Sequence, residues 1–320
     1  MTADAMRRAV ALVNDAESFV VSGHIGPDGD ALGSALAFAH AARAAGKQAV
    51  VAFGEPFVLP DAYAFLDTTP VVDSADLPTD PEVMVVFDVG VSSRLGSLAE
   101  YASKAESLLI VDHHPGAEED FGDVQVIDTN AGAAAQLCAY LIKDLGWIID
   151  ETVGRCLLTG IVTDTGRFQY SSTDGDIMRI AADLLDAGVR PEIIGQAVYE
   201  SVPFAYLSVS SAVLGRAMLE EDLGLVWSVL YRADLEEAEI GAEDVDPLID
   251  DLRIAREAGV ALLLKEIDGG FKGSMRSRGA VDVGAIAASE GGGGHHNAAG
   301  FTVSDSIEAV VERVRALLRD

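Results

Sequence analysis

Three apolar runs in the first 114 residues each close on a group that a hydrophobic core cannot use. FVVSGHI (19–25) runs into His24, VMVVFDVG (83–90) into Asp88, and SLLIVDHH (107–114) into Asp112, His113 and His114. Successive positions in these runs are apolar. Both faces of such strands are buried, as in a parallel sheet covered on both sides. Between the runs stand helix-type stretches such as DALGSALAFAHAARAAG (30–46), and a further strand-type run, KQAVVAF (47–53). Strands alternating with helices predict a parallel α/β layer. AAAQLCAYLIKDLG (133–146), the stretch before GIVTDTG (160–166) and two helices over 174–201 complete this region.

Val202-Pro203 marks a break. A second pattern follows: LGLVWSVL, a helix over DPLIDDLRIAREAG, then GVALLLKEI, GFKGSMRSRG, a short helix near DVGAIAAS, the run GGGGHHNAAGF, and a final helix. The expected organisation is a catalytic domain over 1–190, a helical linker over 191–215 and a smaller α/β substrate domain over 216–320. The site is expected in the cleft between the two domains.

Charge narrows the function. The chain carries 52 acidic and 22 basic residues, a net charge of −30. Such a surface repels polyanions and lacks the basic track that gripping long DNA or RNA requires. No apolar stretch reaches the roughly 18 residues of a membrane span. The opening MTADAMRRAVALVNDA reads as a helix rather than a signal peptide. Two cysteines, Cys138 and Cys156, lie in helix-like apolar stretches and read as reduced core thiols. A cytoplasmic location is expected.

The polar groups at the ends of the apolar runs are metal-type ligands. His24, Asp28 and Asp30 lie in GHIGPDGDALGS, and Asp164 lies in IVTDTG. Functional groups of open α/β sheets gather beyond the carboxyl ends of the strands, so four distant segments can converge on one crevice. Taken singly, each has a plainer explanation. Pro27-Asp28-Gly29-Asp30 suits a turn or helix N-cap, Asp88 a strand-end cap, and Asp164 a turn. Taken together, so many carboxylates would repel one another without cations between them. Carboxylate and imidazole ligands suit hard or borderline divalent ions. Five or six such ligands exceed one mononuclear site. Two metals sharing a carboxylate fit better, and such pairs clamp the attacking and leaving oxygens in phosphoryl displacement. Hydrolysis of a phosphate ester or anhydride is the expected chemistry.

In the second region, Arg276 and Arg278 of SMRSRG alternate on a strand-type segment and share a face. Two guanidiniums on one face can fork onto phosphate oxygens. The glycines of GGGGHHNAAG (291–300) read either as a flexible linker or as backbone that lets a phosphate approach closely.

HIGPDGDALGS, FDVG, VDHHP, VTDTG and GGGGHHNAAG, in that order over nearly the whole chain, resemble the DHH phosphoesterase superfamily. The branch they most resemble is the bacterial nanoRNase and pAp-phosphatase type, which includes relatives that cleave pApA or cyclic dinucleotides. The resemblance implies a parallel-sheet DHH domain followed by a DHH-associated domain. It implies one metal on His24, Asp28 and Asp88, and another on Asp30, Asp88, His113 and Asp164. Asp112 would orient a histidine and His114 would face the scissile phosphate. Arg276, Arg278 and His295 would hold a terminal phosphate above Gly292, Gly293 and Gly294. Ser34 and Arg94 read as structural. The implied cofactors are two divalent ions, Mn²⁺ first, with Mg²⁺ or Co²⁺ as alternatives.

The implied substrates are short RNA, dinucleotides of the pApA type, cyclic di-AMP and pAp, with homodimerisation as an option. One departure stands out. Relatives carry an apolar or aromatic residue just before the glycine run, where this chain has Glu290. A free carboxylate there is expected to weaken capture of a highly charged end. A family II inorganic pyrophosphatase would share the metal motifs but would carry a lysine- and arginine-rich motif in its second domain. A non-catalytic nucleotide sensor would have lost a ligand.

Overall fold

A computed structural model describes residues 3–118 and 120–319, apart from the side chains of Glu243 and His295. The chain divides into two units, Met1–Glu200 and Ser201–Asp320. The first contains α1 (Ala3–Asp15), β1 (Ser18–Ser22), α2 (Gly29–Ala44), β2 (Gln48–Val51), β3 (Val83–Phe87) and the single turn α3 (Ala99–Ala102). It continues through β4 (Ser107–Asp112), β5 (Val124–Ile127), α4 (Ala134–Asp144), α5 (Glu151–Asp164), α6 (Gly175–Asp186) and α7 (Pro191–Tyr199). All neighbouring strands pair in parallel, in the order β2-β1-β3-β4-β5.

Alternate residues of these strands feed two hydrophobic layers, as the side-chain period of two requires. Phe19, Val21, Val85 and Leu109 pack with the large helices, while Val20, Met84, Val86 and Ile110 pack against Leu95, Leu98 and Phe121. From β1 the chain steps outward to β2, then returns to the other side of β1 to form β3. This reversal opens a crevice at the carboxyl ends of β1 and β3, the usual ligand position of an open α/β sheet. Helices α2 and α5 pack unusually close. A Cβ on Gly33 would stand 2.4 Å from the Cys156 carbonyl oxygen, so the two backbones touch.

The second unit contains α8 (Tyr206–Gly215), β6 (Met218–Glu220), β7 (Leu225–Leu230), α9 (Arg232–Ala238), α10 (Leu248–Arg253), β8 (Val260–Ile267) and β9 (Gly270–Ser277). Then come α11 (Val283–Ser289), β10 (Gly293–His295), β11 (Ala298–Val303) and α12 (Ile307–Arg319). Its sheet runs β10-β11-β9-β8-β7-β6. The β7–β8 pair is parallel and the other pairs are antiparallel.

Three differences from the sequence expectations have clear causes. The stretch 191–215 is not a separate linker. Ile194 of α7 is buried in the core of the first unit, and Tyr206, Val209 and Val213 of α8 in that of the second. The helix expected over 246–259 is confined to α10, whose Leu248, Ile249 and Leu252 are buried. Its continuation is drawn off toward β8, because the Gly259 and Val260 N–H groups donate to the Gly224 carbonyl. Half of the glycine run is a strand, β10, paired with β11.

Candidate metal centre

The first unit brings eight of the expected residues together: His24, Asp28, Asp30, Asp88, Asp112, His113, His114 and Asp164. His24 lies two residues beyond β1, and Asp88 directly follows β3. Asp88 has a left-handed backbone, φ 61°, a conformation that Asp tolerates better than most residues. Its N–H donates to the Val111 carbonyl at 2.9 Å, which ties the turn to β4. Asp164 is the last residue of α5.

Asp28 combines both of its sequence readings. Its Oδ1 accepts the N–H groups of Asp30 and Ala31, capping α2, while Oδ2 stands 3.6 Å from His24 Nε2. Asp30 is fully buried against the start of α4. The Ala134 and Ala135 N–H groups donate to its two oxygens at 2.6 and 2.8 Å, and Ser34 donates at 3.2 Å. A helix N-terminus is a favourable place for a carboxylate. Ser34 thus helps to hold the Asp30 carboxylate in place. Arg94 is exposed and contributes its carbonyl, which accepts from the Ile25 N–H.

Three overlapping groups offer ligand atoms within 4.8 Å of one another: His24, Asp28 and Asp88; Asp30, His113 and Asp164; and Asp88, His113 and His114. Asp88 spans the cluster. Its Oδ2 is 3.4 Å from His24 Nε2, and its Oδ1 is 3.4 Å from His113 Nε2. His113 Nε2 also stands 3.1 Å from Asp164 and 3.7 Å from Asp30.

The donor set fits divalent cations. His24 Nδ1 lies 3.0 Å from the Ile25 carbonyl and His113 Nδ1 lies 3.1 Å from the Ala131 carbonyl. A carbonyl only accepts, so each Nδ1 carries the proton and each Nε2 is directed at carboxylates, as in metal-ligating histidines. Asp88 Oδ1 and Asp112 Oδ2 are buried with no hydrogen-bond donor among the described residues. Buried oxygens of this kind need a compensating partner.

Electrostatics agree. Burial lowers the His24 pKa, but Asp28 and Asp88 outweigh it and push it up to about 10. Burial likewise opposes protonation of His113, yet Asp164 and Asp88 raise its pKa well above the ordinary value. Burial, with the charges of Asp88 and Asp164, raises the Asp30 carboxyl well above the carboxylate range. For Asp88 burial is outweighed by His113 and His24, which hold it far below that range. The acids thus draw protons onto the histidines to balance their charge, a task that a divalent cation performs with more charge.

Asp112 and His114 form a separate pair. His114 Nδ1 is 2.8 Å from Asp112 Oδ1 and 3.3 Å from Asp88 Oδ1. Asp112 is fully buried while the His114 side chain is partly exposed. This arrangement fixes the Nδ1 side of the ring against Asp112.

The second unit holds the remaining expected residues. Arg276 lies in β9, with Nε 3.6 Å from Asp250. Arg278 donates to the Arg253 carbonyl at the end of α10 at 2.7 Å. Both guanidiniums therefore meet α10, as a shared face requires. The side chain of His295 lies outside the described residues. A Cβ on Gly292 would approach the Gly300 carbonyl to 2.1 Å, and one on Gly294 the Ala298 carbonyl to 2.5 Å. The hairpin alone thus requires glycine at these two positions. Gly293 faces open space. Glu290 is not a free carboxylate: it is largely buried, and Arg313 donates to both of its oxygens at 2.8 to 3.0 Å.

The chain belongs to the DHH family: the family's N-terminal domain matches residues 18–161, and the DHHA1 domain matches residues 225–320. It falls with the oligoribonuclease and PAP phosphatase branch. The bifunctional oligoribonuclease and PAP phosphatase NrnA of Thermus thermophilus is 31% identical, over 94% of this chain and 89% of that protein. Among solved structures, an exopolyphosphatase-related protein from Bacteroides fragilis superposes with a TM-score of 0.90 at 22% identity, covering 100% of this chain and 98% of that one. An exonuclease RecJ bound to manganese shares the fold at a TM-score of 0.53 and 15% identity, covering 100% of this chain and 95% of that one.

Proposed function

We propose that this protein is a two-metal phosphoesterase that hydrolyses short oligoribonucleotides and pApA-type dinucleotides to nucleoside 5′-monophosphates, and that also removes the 3′-phosphate of pAp. The observation that carries this reading is the buried Asp88 carboxylate, set between His24 and His113 with an oxygen that has no hydrogen-bond donor among the described residues. His24, Asp28 and Asp88 hold one divalent ion. Asp30, Asp88, His113 and Asp164 hold the other. Mn²⁺ suits the imidazole content best. When bound, the ions supply Lewis acidity and activate water for attack on phosphorus.

The chain's own residues do the rest. The Ile25 and Ala131 carbonyls fix the tautomers of His24 and His113. Burial opposes protonation of His114, but Asp112 and Asp88 raise its pKa, so the imidazolium keeps Nδ1–H on Asp112 and carries a second N–H, on Nε2, for a phosphate oxygen. Arg276 and Arg278 hold the substrate's terminal phosphate, and the open face of Gly293 gives it room. Because Arg313 neutralises Glu290, that residue does not repel a highly charged end.

The test is product analysis of metal-stripped protein re-supplied with Mn²⁺ and given pAp, pApA, cyclic di-AMP, a 5-mer RNA and pyrophosphate. Mn²⁺-dependent mononucleotide release from pApA and the 5-mer, with AMP from pAp, is expected. Activity confined to pyrophosphate would overturn the reading.

A further inference from the structure

Immediately after the metal-ligand residue Asp164, the backbone makes a turn that its composition does not favour. Gly166, Arg167 and Phe168 have φ of 55°, 62° and 63°. Left-handed backbone is strained for the two non-glycine residues and persists only where surrounding contacts impose it. Here the contacts are visible. The Arg167 N–H donates to the Val162 carbonyl at 2.8 Å, the Phe168 N–H to Thr165 Oγ1 at 3.1 Å, and the Tyr170 N–H to the Thr165 carbonyl at 3.0 Å. The turn places the Arg167 guanidinium over the Tyr199 ring, 4.7 Å from its centroid.

Tyr199 is itself fixed near the acids, because its hydroxyl donates to the Val162 carbonyl at 3.3 Å. Tyr63 completes the group. Its oxygen accepts the Gly29 N–H, and burial, with Asp28, Tyr199 and Asp164 close by, raises its phenol pKa. Tyr63 thus lies within electrostatic reach of Asp28, Asp164 and Tyr199, and the exposed Arg167 sits over Tyr199. Three arginines of this unit are paired with carboxylates: Arg155 with Glu151, Arg179 with Asp176 and Arg190 with Glu192. Arg167 has no carboxylate partner among the described residues. An arginine seated flat on a tyrosine keeps its outward N–H donors available, and the aromatic seat restricts it without neutralising it.

We propose that Arg167, seated on Tyr199, is the phosphate-binding cation of the catalytic unit. It donates to a non-bridging oxygen of a nucleotide phosphate beside the one being cut. This rests on the nucleotide reading above and adds a second phosphate contact, independent of Arg276 and Arg278. The strained turn then has a role: three residues after Asp164, it seats a cation on Tyr199.

The experiment compares the Mn²⁺-loaded wild type with R167M and R167K. It measures steady-state kinetics on pApApA, which has, beside the phosphate being cut, one that is not the terminal phosphate, and calorimetric binding of a non-hydrolysable phosphorothioate analogue of pApApA. Bis(p-nitrophenyl) phosphate, a diester with no second phosphate, is the control substrate. R167M is expected to raise KM and weaken analogue binding about tenfold, the scale of one lost charge-assisted hydrogen bond. R167K should fall between R167M and the wild type. Mn²⁺ affinity and turnover of the control diester should stay within about twofold, since Arg167 touches neither in this scheme. Should R167M fail to fold, R167Q carries the same comparison. Analogue binding as tight as the wild type in a folded variant overturns the inference while leaving the proposed function standing. A wild type that neither cuts nor binds pApApA overturns both.

Discussion

The two units treat buried charge in opposite ways. In the second, acids meet arginine or lysine: Asp234 meets Arg216, Glu290 meets Arg313, Glu220 meets Arg315 and Asp246 meets Lys265. These pairs are architecture. In the first, Asp30, Asp88 and Asp112 are almost fully buried and have no lysine or arginine partner among the described residues. Such crowding of like charge is costly, and folded proteins retain it where function needs it. Buried charge that a chain balances internally holds its fold together. Buried charge that it leaves to histidines marks where something else binds.

Substitutions can break this comparison, and Asp88→Ala should do so most severely. It removes the residue that spans both ligand groups, so activity should fall well beyond the roughly 10- to 100-fold expected for a residue that only orients a ligand. Elemental analysis should show metal content falling with it. Full metal content would remove Asp88 from the bridging position. Asp112→Asn comes next. It takes from His114 the acceptor that fixes its tautomer, and should cost about 10- to 100-fold in kcat with metal content unchanged. Arg276→Ala tests whether the second unit is only architecture. A KM for pApA raised about tenfold, with kcat little changed, is expected if the guanidinium binds substrate. An unchanged KM would leave Arg276 as nothing more than the partner of Asp250.

Acidity provides a subtler test. Without metal, the acids around His24 push its pKa up to about 10 in the fold, against 6.5 for an ordinary histidine. Its stabilisation is therefore complete below 6.5 and is lost as pH climbs through about 10. Mn²⁺ competes with that proton, so its binding tightens over the same window. The gap in Tm between Mn²⁺-loaded and EDTA-treated protein should widen from pH 6.5 toward 9. A constant gap would argue against His24 as a ligand. Arg313→Met should have the smallest effect on catalysis. It leaves the Glu290 carboxylate buried and unpaired, costs about 1–3 kcal/mol of stability in a denaturant titration, and raises the KM for pApA slightly.

Much of the centre was legible because metal ligands are side chains and therefore letters. His24, Asp28, Asp30, Asp88, His113 and Asp164 were all readable from where apolar runs and helices end. What holds them was not. The carbonyl of Ala131 and the N–H groups of Ala134 and Ala135 are backbone, and nothing in GAAAQ advertises that Asp30 caps this helix. The left-handed turns at Asp88 and Arg167 are equally silent, since neither residue is glycine. Among the elements, β5 escaped notice because VQVI is short and only half buried. The glycine run was read as loop because glycine disfavours strands. It forms one here because the neighbouring strand comes too close for any side chain at Gly292 or Gly294.

The contact of Gly33 with the Cys156 carbonyl has a consequence for how this protein can vary over time. Helices α2 and α5 carry the proposed ligands Asp30 and Asp164 at their ends, and main chain packs against main chain where they meet at Gly33. Main-chain atoms are the same in every sequence. The hydrophobic residues around that seam are thus at liberty to exchange with one another over many generations while Asp30 and Asp164 keep their spacing. A lineage can rewrite most of the letters in this unit and keep its chemistry, provided it spares the glycines of that seam, Gly29, Gly33 and Gly160, where any Cβ would clash.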